Sequence, residues 1–277
     1  MALGEHLESW RPEPVTTVDD MLPGPVAAMS AVLDQPIPAG PLPPLWHWLY
    51  FLDWPLQREL GEDGHPREGH FLPPIPDRRR MIAGGRLKVR EPLELGVEAE
   101  RVSRLGEVTV KQGSTGEMVF VTVRHEISQG GRLRLVEDQD VVYRSGEDER
   151  RKAMLTRSTT EAPAADERWQ KELRPDTRLL FRFSALTANA HRIHYDEPYV
   201  RDVEGYPGLV VHGPLLVLLM LELVRDRPVR SVAFRLRRPV FAGEHLRLLG
   251  SPGLEGAGLR VATAREDRHA TAEVGFA

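Results

Sequence analysis

The chain has 277 residues, of which 41% are hydrophobic and 28% are charged, a balance typical of soluble globular proteins. Its formal net charge of -4 leaves no basic surplus to neutralise phosphates, which argues against a general nucleic-acid binder. The absence of cysteine excludes disulfides, thiolate metal sites and a cysteine nucleophile. No basic stretch leads into an apolar run after Met1, so we expect a cytoplasmic protein without a secretory signal.

The first part of the chain runs from a proline-rich segment into predicted β-structure. Residues 1–44 are rich in turn formers, and the apolar stretch Leu45–Trp54 predicts a short buried helix. Residues 55–80 carry glycine, proline and charge, which predicts a long loop. From Met81 to Arg144 β-branched residues dominate, and we expect several strands there.

The second part follows a charged connector, which we place at residues 151–177. Arg178 to Phe183 predicts a short strand. The apolar segment from Gly208 to Val224 is shorter than the ~20 residues that span a bilayer, so it predicts a buried helix and no membrane span. Near the end, Val232, Phe234 and Leu236 alternate with arginines, as in a half-exposed strand.

An internal repeat relates the two parts. Ala39-Gly40-Pro41-Leu42 precedes the first predicted helix as His212-Gly213-Pro214-Leu215 precedes the second. Later in each part a strand is followed by a proline and then a glycine, Pro92 with Gly96 and Pro239 with Gly243. We therefore expect residues 1–150 and 178–277 to be two similar halves, each a long helix wrapped by an antiparallel sheet.

The residues with chemical potential are concentrated in the second half. Asn189, His191 and His194 lie within six residues, and the pair His212-Gly213 stands at a predicted helix N-terminus. Helix N-termini stabilise oxyanions through free N–H groups, and histidine carries protons near neutral pH. This combination is the minimum needed to add water across an activated C=C bond. A metal site is disfavoured, because no paired carboxylate cluster accompanies the histidines.

This stretch resembles the MaoC-like (R)-specific enoyl-CoA hydratase and dehydratase family, whose signature is Ser-Gly-Asp-x-Asn-Pro-x-His-x-Asp with a downstream His-Gly pair. In this alignment Thr187 and Ala188 fall at the Ser-Gly, Asn189 at the catalytic Asp and His194 at the catalytic His. The resemblance implies that Gly213 supplies a backbone N–H to the thioester oxygen.

The resemblance is closer to one branch, the mitochondrial-type 3-hydroxyacyl-thioester dehydratases and their bacterial relatives that hydrate mesaconyl-C4-CoA or itaconyl-CoA. Two segments carry it, Ser184-Ala-Leu-Thr-Ala-Asn-Ala-His-Arg-Ile-His-Tyr-Asp196 and Arg80-Met-Ile-Ala-Gly-Gly85. It implies an α+β double hotdog whose N-terminal half has lost the catalytic pair, in agreement with Ala39 at the position of His212.

The departure at Asn189 has a mechanistic consequence, because an amide cannot shuttle a proton. We expect His194 to activate the water and Asn189 to orient the water or the substrate. His194, once protonated, could return its proton to the α-carbon. Other residues are expected to bind the acyl-CoA substrate: His191, His212, Arg80 and Arg192. We expect no cofactor and no metal, and a homodimer is compatible with the sequence.

The predicted reaction is hydration of a short enoyl-CoA to citramalyl-CoA, with itaconyl-CoA as the first choice of substrate and the closely similar mesaconyl-C4-CoA as the second. A distal carboxylate would need a cationic partner, and several arginines stand near the motifs: Arg80, Arg182, Arg192, Arg235 and Arg237. Two alternatives stay open. One is a 3-hydroxyacyl-thioester dehydratase of fatty-acid synthesis, and the other is a hotdog thioesterase or a non-catalytic acyl-thioester binder.

Overall fold

The computed structural model describes residues 3–113, 116–145 and 155–277. Its first five strands are β1 (Val15–Asp19), β2 (Arg78–Val89), β3 (Ala99–Gly113), β4 (Gly116–Gln129) and β5 (Arg132–Ser145). The next five are β6 (Trp169–Leu173), β7 (Val229–Leu236), β8 (Leu246–Pro252), β9 (Gly256–Thr263) and β10 (Glu266–Phe276). The α-helices are α1 (Gly24–Val32), α2 (Thr177–Leu186), α3 (Glu197–Asp202) and α4 (Gly213–Leu221). Short 3-10 helices cover Leu3–Leu7, Trp46–Leu49, Gln57–Glu59, Arg192–His194 and Glu222–Val224.

The ten described strands form one antiparallel sheet in the order β1-β3-β4-β5-β2-β7-β10-β9-β8-β6. Read inward from one edge, the order is β1-β3-β4-β5-β2, and read inward from the other edge it is β6-β8-β9-β10-β7. The five strands of each half therefore have the same topology. Two similar halves therefore meet where β2 pairs with β7. This is the α+β double hotdog that the sequence predicts.

Two adjacent glycines allow the halves to join. Gly84 and Gly85 of β2 pair with Arg235 and Phe234 of β7. A Cβ atom on Gly84 would lie 2.4 Å from the carbonyl oxygen of Phe234, and one on Gly85 would lie 2.9 Å from the Phe234 ring. The two glycines of the Arg80–Gly85 motif thus allow β2 and β7 to pair closely, because any larger residue would push the two strands apart.

The main hydrophobic core surrounds α4. Every residue from Leu215 to Leu221 is buried, as in a helix that is enclosed on all sides. The helix packs against β8, β9 and β10, and its first residue contacts the next strand inward, since a Cβ on Gly213 would meet Leu236 of β7 at 2.3 Å. This packing fixes the helix N-terminus against the inner face of the sheet.

The predicted strand at Arg178–Phe183 is wrong, because these residues lie within α2. Asp176 caps this helix by accepting a hydrogen bond from the N–H of Leu179 at 2.9 Å. The buried side chains, Leu180, Phe183 and Ser184, follow helical spacing, whereas Phe181 between them is exposed. The aromatic content of the segment favoured a strand, and the capping residue decides for a helix.

The predicted helix at Leu45–Trp54 is reduced to the 3-10 helix Trp46–Leu49. Leu45 and Phe51 have positive φ angles of 67° and 54°, so the chain turns out of helical geometry on both sides. Most of the segment up to Phe51 is buried as predicted, whereas Asp53 and Trp54 are exposed. The first half thus lacks a long central helix of the kind that the repeat suggested.

The internal repeat exists in a different register from the one read from Gly-Pro-Leu. The N–H of Leu42 donates to the carbonyl of Leu93 at 3.0 Å, as the N–H of Val211 donates to that of Val240 at 2.8 Å. Leu42 therefore corresponds to Val211, and Pro43 corresponds to His212. The predicted correspondence between Ala39 and His212 is wrong. It followed from the shared sequence Gly-Pro-Leu, whereas the backbone hydrogen bonds place Pro43 at the position of His212.

The Pro-to-Gly part of the repeat is confirmed. Gly96 and Gly243 both have positive φ, 72° and 81°, and their N–H groups donate to the carbonyls of Met21 and Pro175 respectively. The division into 1–150, 151–177 and 178–277 stays a prediction. Residues 151–154 of the connector lie outside the described ranges, and β6 lies within the connector. No helix in the described part of the chain is both long and apolar enough to cross a membrane.

Candidate active site

The catalytic residues predicted from the sequence lie on a loop between α2 and α3 and on the first residues of α4. Ala188 begins the loop with a φ of 50°, which explains the glycine that the family signature has at this position. The N–H of Asn189 donates to the Ser184 carbonyl at 2.9 Å. Its side-chain Oδ1 accepts from the N–H of His191 at 3.0 Å. Asn189 therefore shapes the loop that carries the two histidines.

His194 has the properties of a neutral base. Its Nδ1 lies 2.7 Å from the Val210 carbonyl oxygen, so Nδ1 carries the proton and Nε2 keeps a free lone pair. The side chain is buried, and this burial lowers the pKa of His194 to about 4. At neutral pH the imidazole is thus uncharged and ready to accept a proton.

His212 supports His194 from the N-cap position of α4. The two rings are stacked, and the Nε2 of His212 lies 2.9 Å from the Ser184 hydroxyl. Burial and then the neighbouring charges of His194 and His191 hold the pKa of His212 well below its usual value. Its Nδ1 is buried without a hydrogen-bond partner among the described residues. Because the His212 ring is buried, its contacts indicate that it supports the His194 ring by stacking against it.

Gly213 opens α4, where the first N–H groups have no partner inside the helix. Pro214 follows and has no N–H of its own, which leaves the N–H of Gly213 as a donor at the helix end. The helix dipole adds positive potential at this point. The geometry suits a thioester oxygen that becomes an enolate oxygen during the reaction.

The first half contributes a second group of residues, which the sequence reasoning missed. The loop around Gly64 contacts the loop of residues 187–196, which holds the predicted catalytic residues and is called the catalytic loop for that reason. The N–H of Arg192 donates to the Asp63 carbonyl at 2.8 Å. The side chain of His65 lies against His191, with ring centroids 3.9 Å apart. Its Nδ1 is 2.8 Å from the Asp63 carboxylate. The pattern Asp-Gly-His in a glycine-rich segment was the available signal, but the segment was read only as a loop.

Gly64 permits this contact. Its φ is +88°, and a Cβ atom there would lie 1.9 Å from the carbonyl oxygen of Ala190. Any side chain would thus collide with the backbone of the catalytic loop. The two halves of the chain are therefore in direct contact at the candidate active site.

Arg192 holds the two loops together. Its guanidinium donates to the Asp196 carboxylate through two nitrogens, at 3.0 and 2.8 Å, and to the Glu62 carbonyl at 3.1 Å. It also stacks on Tyr199, with 3.8 Å between the guanidinium carbon and the ring centre. Substrate binding by Arg192 stays a prediction. Its present contacts favour a structural role.

Arg80, on β2, is the cation best placed to receive a substrate. It lies close enough to His65 and His191 for its charge to lower the pKa of both. Surrounding protein lowers the pKa of the guanidinium itself, while part of the side chain stays open to solvent. Arg80 forms no ion pair with any residue of the described ranges. A partly exposed guanidinium outside any ion pair of the described residues is suited to an anionic ligand, although the charge of Asp63 also acts on it.

Among the described residues, one cluster has metal-ligating atoms close together. Oxygen or nitrogen atoms of Asp63, His65 and His191 lie within 4.8 Å of one another. The Asp63–His65 hydrogen bond occupies one pair of these atoms, and the Arg80 charge disfavours a further cation beside both histidines. The absence of a metal site stays our prediction.

The model of the hydroxyacyl-thioester dehydratase type 2 family matches residues 45–242. The chain belongs to this family. A mesaconyl-C(4)-CoA hydratase of Chloroflexus aurantiacus is 44% identical over 269 residues, covering 93% of this chain and 94% of that protein. A mitochondrial hydroxyacyl-thioester dehydratase type 2 of Schizosaccharomyces pombe is 27% identical over 266 residues, 85% of each chain. This member of the family is therefore a hydro-lyase of the enoyl-CoA hydratase or 3-hydroxyacyl-thioester dehydratase type.

Solved structures agree on the fold of the family member described here. HtdX of Mycobacterium tuberculosis matches with a TM-score of 0.66 at 16% identity, covering 96% of this chain and all of that one. A MaoC-like dehydratase of Phytophthora capsici matches with a TM-score of 0.67 at 10% identity, covering 99% and 98%. At these identities the likeness concerns the architecture alone. The MaoC-like fold predicted from the sequence is confirmed.

Proposed function

We propose that the enzyme hydrates mesaconyl-C4-CoA to citramalyl-CoA. The observation that carries the proposal is the unpaired Arg80 cation beside the candidate catalytic histidines, in a chain closely similar to a mesaconyl-C(4)-CoA hydratase. The substrate bears a carboxylate on its β-carbon, the atom that water attacks. A receptor for this carboxylate must therefore lie near the catalytic base, and Arg80, whose charge acts on His65 and His191, is the candidate that we propose.

In the proposed reaction His194 accepts a proton from water through its Nε2 as the oxygen bonds to the β-carbon. The electrons of the C=C bond move to the thioester oxygen, which accepts a hydrogen bond from the N–H of Gly213. Such stabilisation of a developing oxyanion is usually the largest single contribution to catalysis. A proton then reaches the α-carbon and completes the hydration.

Mesaconyl-C4-CoA suits this site better than itaconyl-CoA, the other substrate predicted from the sequence. In mesaconyl-C4-CoA the double bond is conjugated with the thioester carbonyl, so an oxyanion hole at that carbonyl activates the β-carbon directly. In itaconyl-CoA the double bond lies one carbon further away. Polarisation of the carbonyl would not activate it without a prior shift of the double bond.

Dehydration of longer 3-hydroxyacyl thioesters is the second candidate, because the family model and the fission-yeast relative carry that name. The two reactions share the same chemistry in opposite directions. They differ in the acyl group and hence in the need for Arg80. A homodimer also stays a prediction, which light scattering of the purified protein would test.

The test compares kcat/KM for mesaconyl-C4-CoA, itaconyl-CoA, crotonyl-CoA and octenoyl-CoA. We expect mesaconyl-C4-CoA to exceed both neutral substrates by tenfold or more. Arg80→Gln should lower its kcat/KM by about 10- to 100-fold, the equivalent of one charged hydrogen bond of about 1.5–3 kcal/mol, and leave crotonyl-CoA nearly unchanged. Arg86→Gln is the matched control, since Arg86 lies on the same strand but is paired with Asp140. A preference for octenoyl-CoA would reject the proposal in favour of the fatty-acid dehydratase.

A further inference from the structure

The proposed hydration requires two proton transfers, one from water and one to the α-carbon. His194 accounts for the first. At the position where the family signature has an aspartate, Asn189 has no proton to exchange, and its Oδ1 is used by the loop backbone. Within the segment that resembles the signature, the acid would then be His194 itself, returning its own proton, or His191, whose pKa burial holds far below its usual value.

The first half places a histidine–carboxylate pair against the loop that carries His191 and His194. His65 donates its Nδ1 proton to Asp63 at 2.8 Å, and this bond fixes the ring and its tautomer. The side chain of His65 keeps 17% of its surface exposed, and no described residue binds its Nε2. A free Nε2 on an oriented ring is the arrangement by which histidine transfers protons.

His65 belongs to the same group of rings as His194. His191 lies between them, 3.9 Å from His65 and 5.5 Å from His194 by ring centroids. The charge of His65 also acts on His194. Burial is the main cause of the lowered pKa of His194, and the charge of His65 lowers this pKa further. His65 and His194 thus both adjoin His191, and the three rings form one group.

We propose that His65, oriented by Asp63, is the acid that donates the proton to the α-carbon. The catalytic site would then be composite, with the base from the second half and the acid from the first. This inference rests on the proposed hydratase reaction and applies to any enoyl-CoA, because every substrate of this class takes a proton at the α-carbon.

The proton balance is closed in each turnover. Water gives its proton to the Nε2 of His194 and its oxygen to the β-carbon, while the imidazolium of His65 gives the Nε2 proton to the α-carbon. His194 is then protonated and His65 is neutral. One proton passes from His194 to His65, through the intervening His191 ring or through solvent, and restores the starting state. In dehydration the two residues exchange roles.

The charges around His65 act on its proton in both directions. On balance the pKa of His65 lies below its usual value: burial lowers it most, the hydrogen bond to Asp63 raises it, Arg80 lowers it, and the charges of Asp63 and Glu204 raise it. His191 and His194, the other titratable groups beside it, are held neutral mainly by burial. A substrate carboxylate bound at Arg80 would offset the Arg80 charge and favour the imidazolium of His65.

The test measures His65→Gln with both crotonyl-CoA and mesaconyl-C4-CoA. We expect kcat to fall by about 10²-fold or more for both substrates, with KM within threefold of wild type. Added imidazole should restore part of the activity of His65→Ala. Asp63→Asn should move the high-pH limb of kcat to lower pH, because the histidine loses the charge that helps it to hold its proton. The control is His70→Gln, since the His70 ring is bonded to the Glu13 carbonyl.

The outcomes separate this inference from the proposed substrate. Wild type that hydrates crotonyl-CoA but not mesaconyl-C4-CoA would reject the substrate and leave the His65 test intact. If His65→Gln lowers kcat for mesaconyl-C4-CoA but not for crotonyl-CoA, His65 binds the substrate carboxylate instead, and the proposal is overturned. Unchanged kcat would overturn it as well. A purely structural role for His65 would also overturn the proposal. It would lower the melting temperature of the His65 variants, imidazole would not restore the activity of His65→Ala, and the pH dependence of kcat in Asp63→Asn would not shift.

Discussion

The imidazole rings of His194 and His212 are stacked, with centroids 3.6 Å apart and planes inclined by 19°. Both are buried; burial and then the charge of His194 hold the pKa of His212 well below its usual value, and burial lowers the pKa of His194. The stack keeps the His194 ring in one plane while the Val210 carbonyl fixes its tautomer. A base held in this way reaches the water without any rotation of its side chain.

His194→Ala should abolish turnover and leave the fold intact. Removal of a general base costs about 10²–10⁴-fold in rate, and His194 is the proposed proton acceptor for water. The measurement is the steady-state rate with crotonyl-CoA and mesaconyl-C4-CoA, together with the melting temperature. Rates within threefold of wild type at an unaltered melting temperature would reject the assignment.

Stability should decrease as the pH falls from about 6.5 to about 4. Burial lowers the pKa of His125, His194 and His269 to about 4 each, so in this range the unfolded chain binds protons that the folded chain does not. Each such histidine contributes a slope of at most ~1.4 kcal/mol per pH unit, and the stabilisation is complete above about pH 6.5. Urea denaturation at pH 7.5, 6 and 5 measures this. A smaller slope in His269→Gln is expected, and a flat profile in wild type would contradict the prediction.

Asn189→Ala should lower activity by about tenfold or more, because the side chain no longer accepts the hydrogen bond from the N–H of His191. Asn189→Asp keeps an oxygen at the same place and should retain more activity than the alanine variant. Kinetics of the two variants side by side provide the check. Equal, wild-type-like rates would mean that this turn is not needed to place the histidines.

Gly64→Ala should impair both stability and activity. The residue has a left-handed backbone, where a side chain costs about 1–2 kcal/mol, and its Cβ would also strike the Ala190 carbonyl. Gly131→Ala is the matched control, since its φ is +72° but nothing lies within 4 Å of its Cβ. If Gly64→Ala loses more stability and activity than Gly131→Ala, the difference measures the contribution of the contact between the two loops. Equal effects in kcat would argue that this contact does not support catalysis.

Much of the second half could be predicted from its sequence, because its signals are local. The apolar run after Gly213-Pro214 specifies a buried helix, and the alternation at Val232, Phe234 and Leu236 specifies a strand. The catalytic segment has a motif with fixed spacing. The error at Arg178–Phe183 arose because β-propensity was weighed above the cap formed by Asp176.

The contribution of the first half to the site could not be read in the same way. Asp63 and His65 are far from His191 in the sequence, and only the path of the chain brings their side chains together. The register of the repeat failed for a similar reason, since the pairing of Leu42 with Leu93 depends on a contact between distant segments. A single sequence records such contacts only indirectly, through glycines such as Gly64.

The junction of β2 and β7 makes one continuous sheet from two related halves of a single chain. Identical subunits in a symmetric dimer must repeat every feature, so a loop that improves one active site also appears where it has no use. A fused pair is free of this constraint. Here the connection between Trp46–Leu49 and β2 could lengthen and place Asp63 and His65 beside the loop that carries His191, while the corresponding connection in the other half, between α4 and β7, stays short. Covalent linkage thus allows a division of labour that symmetry would forbid.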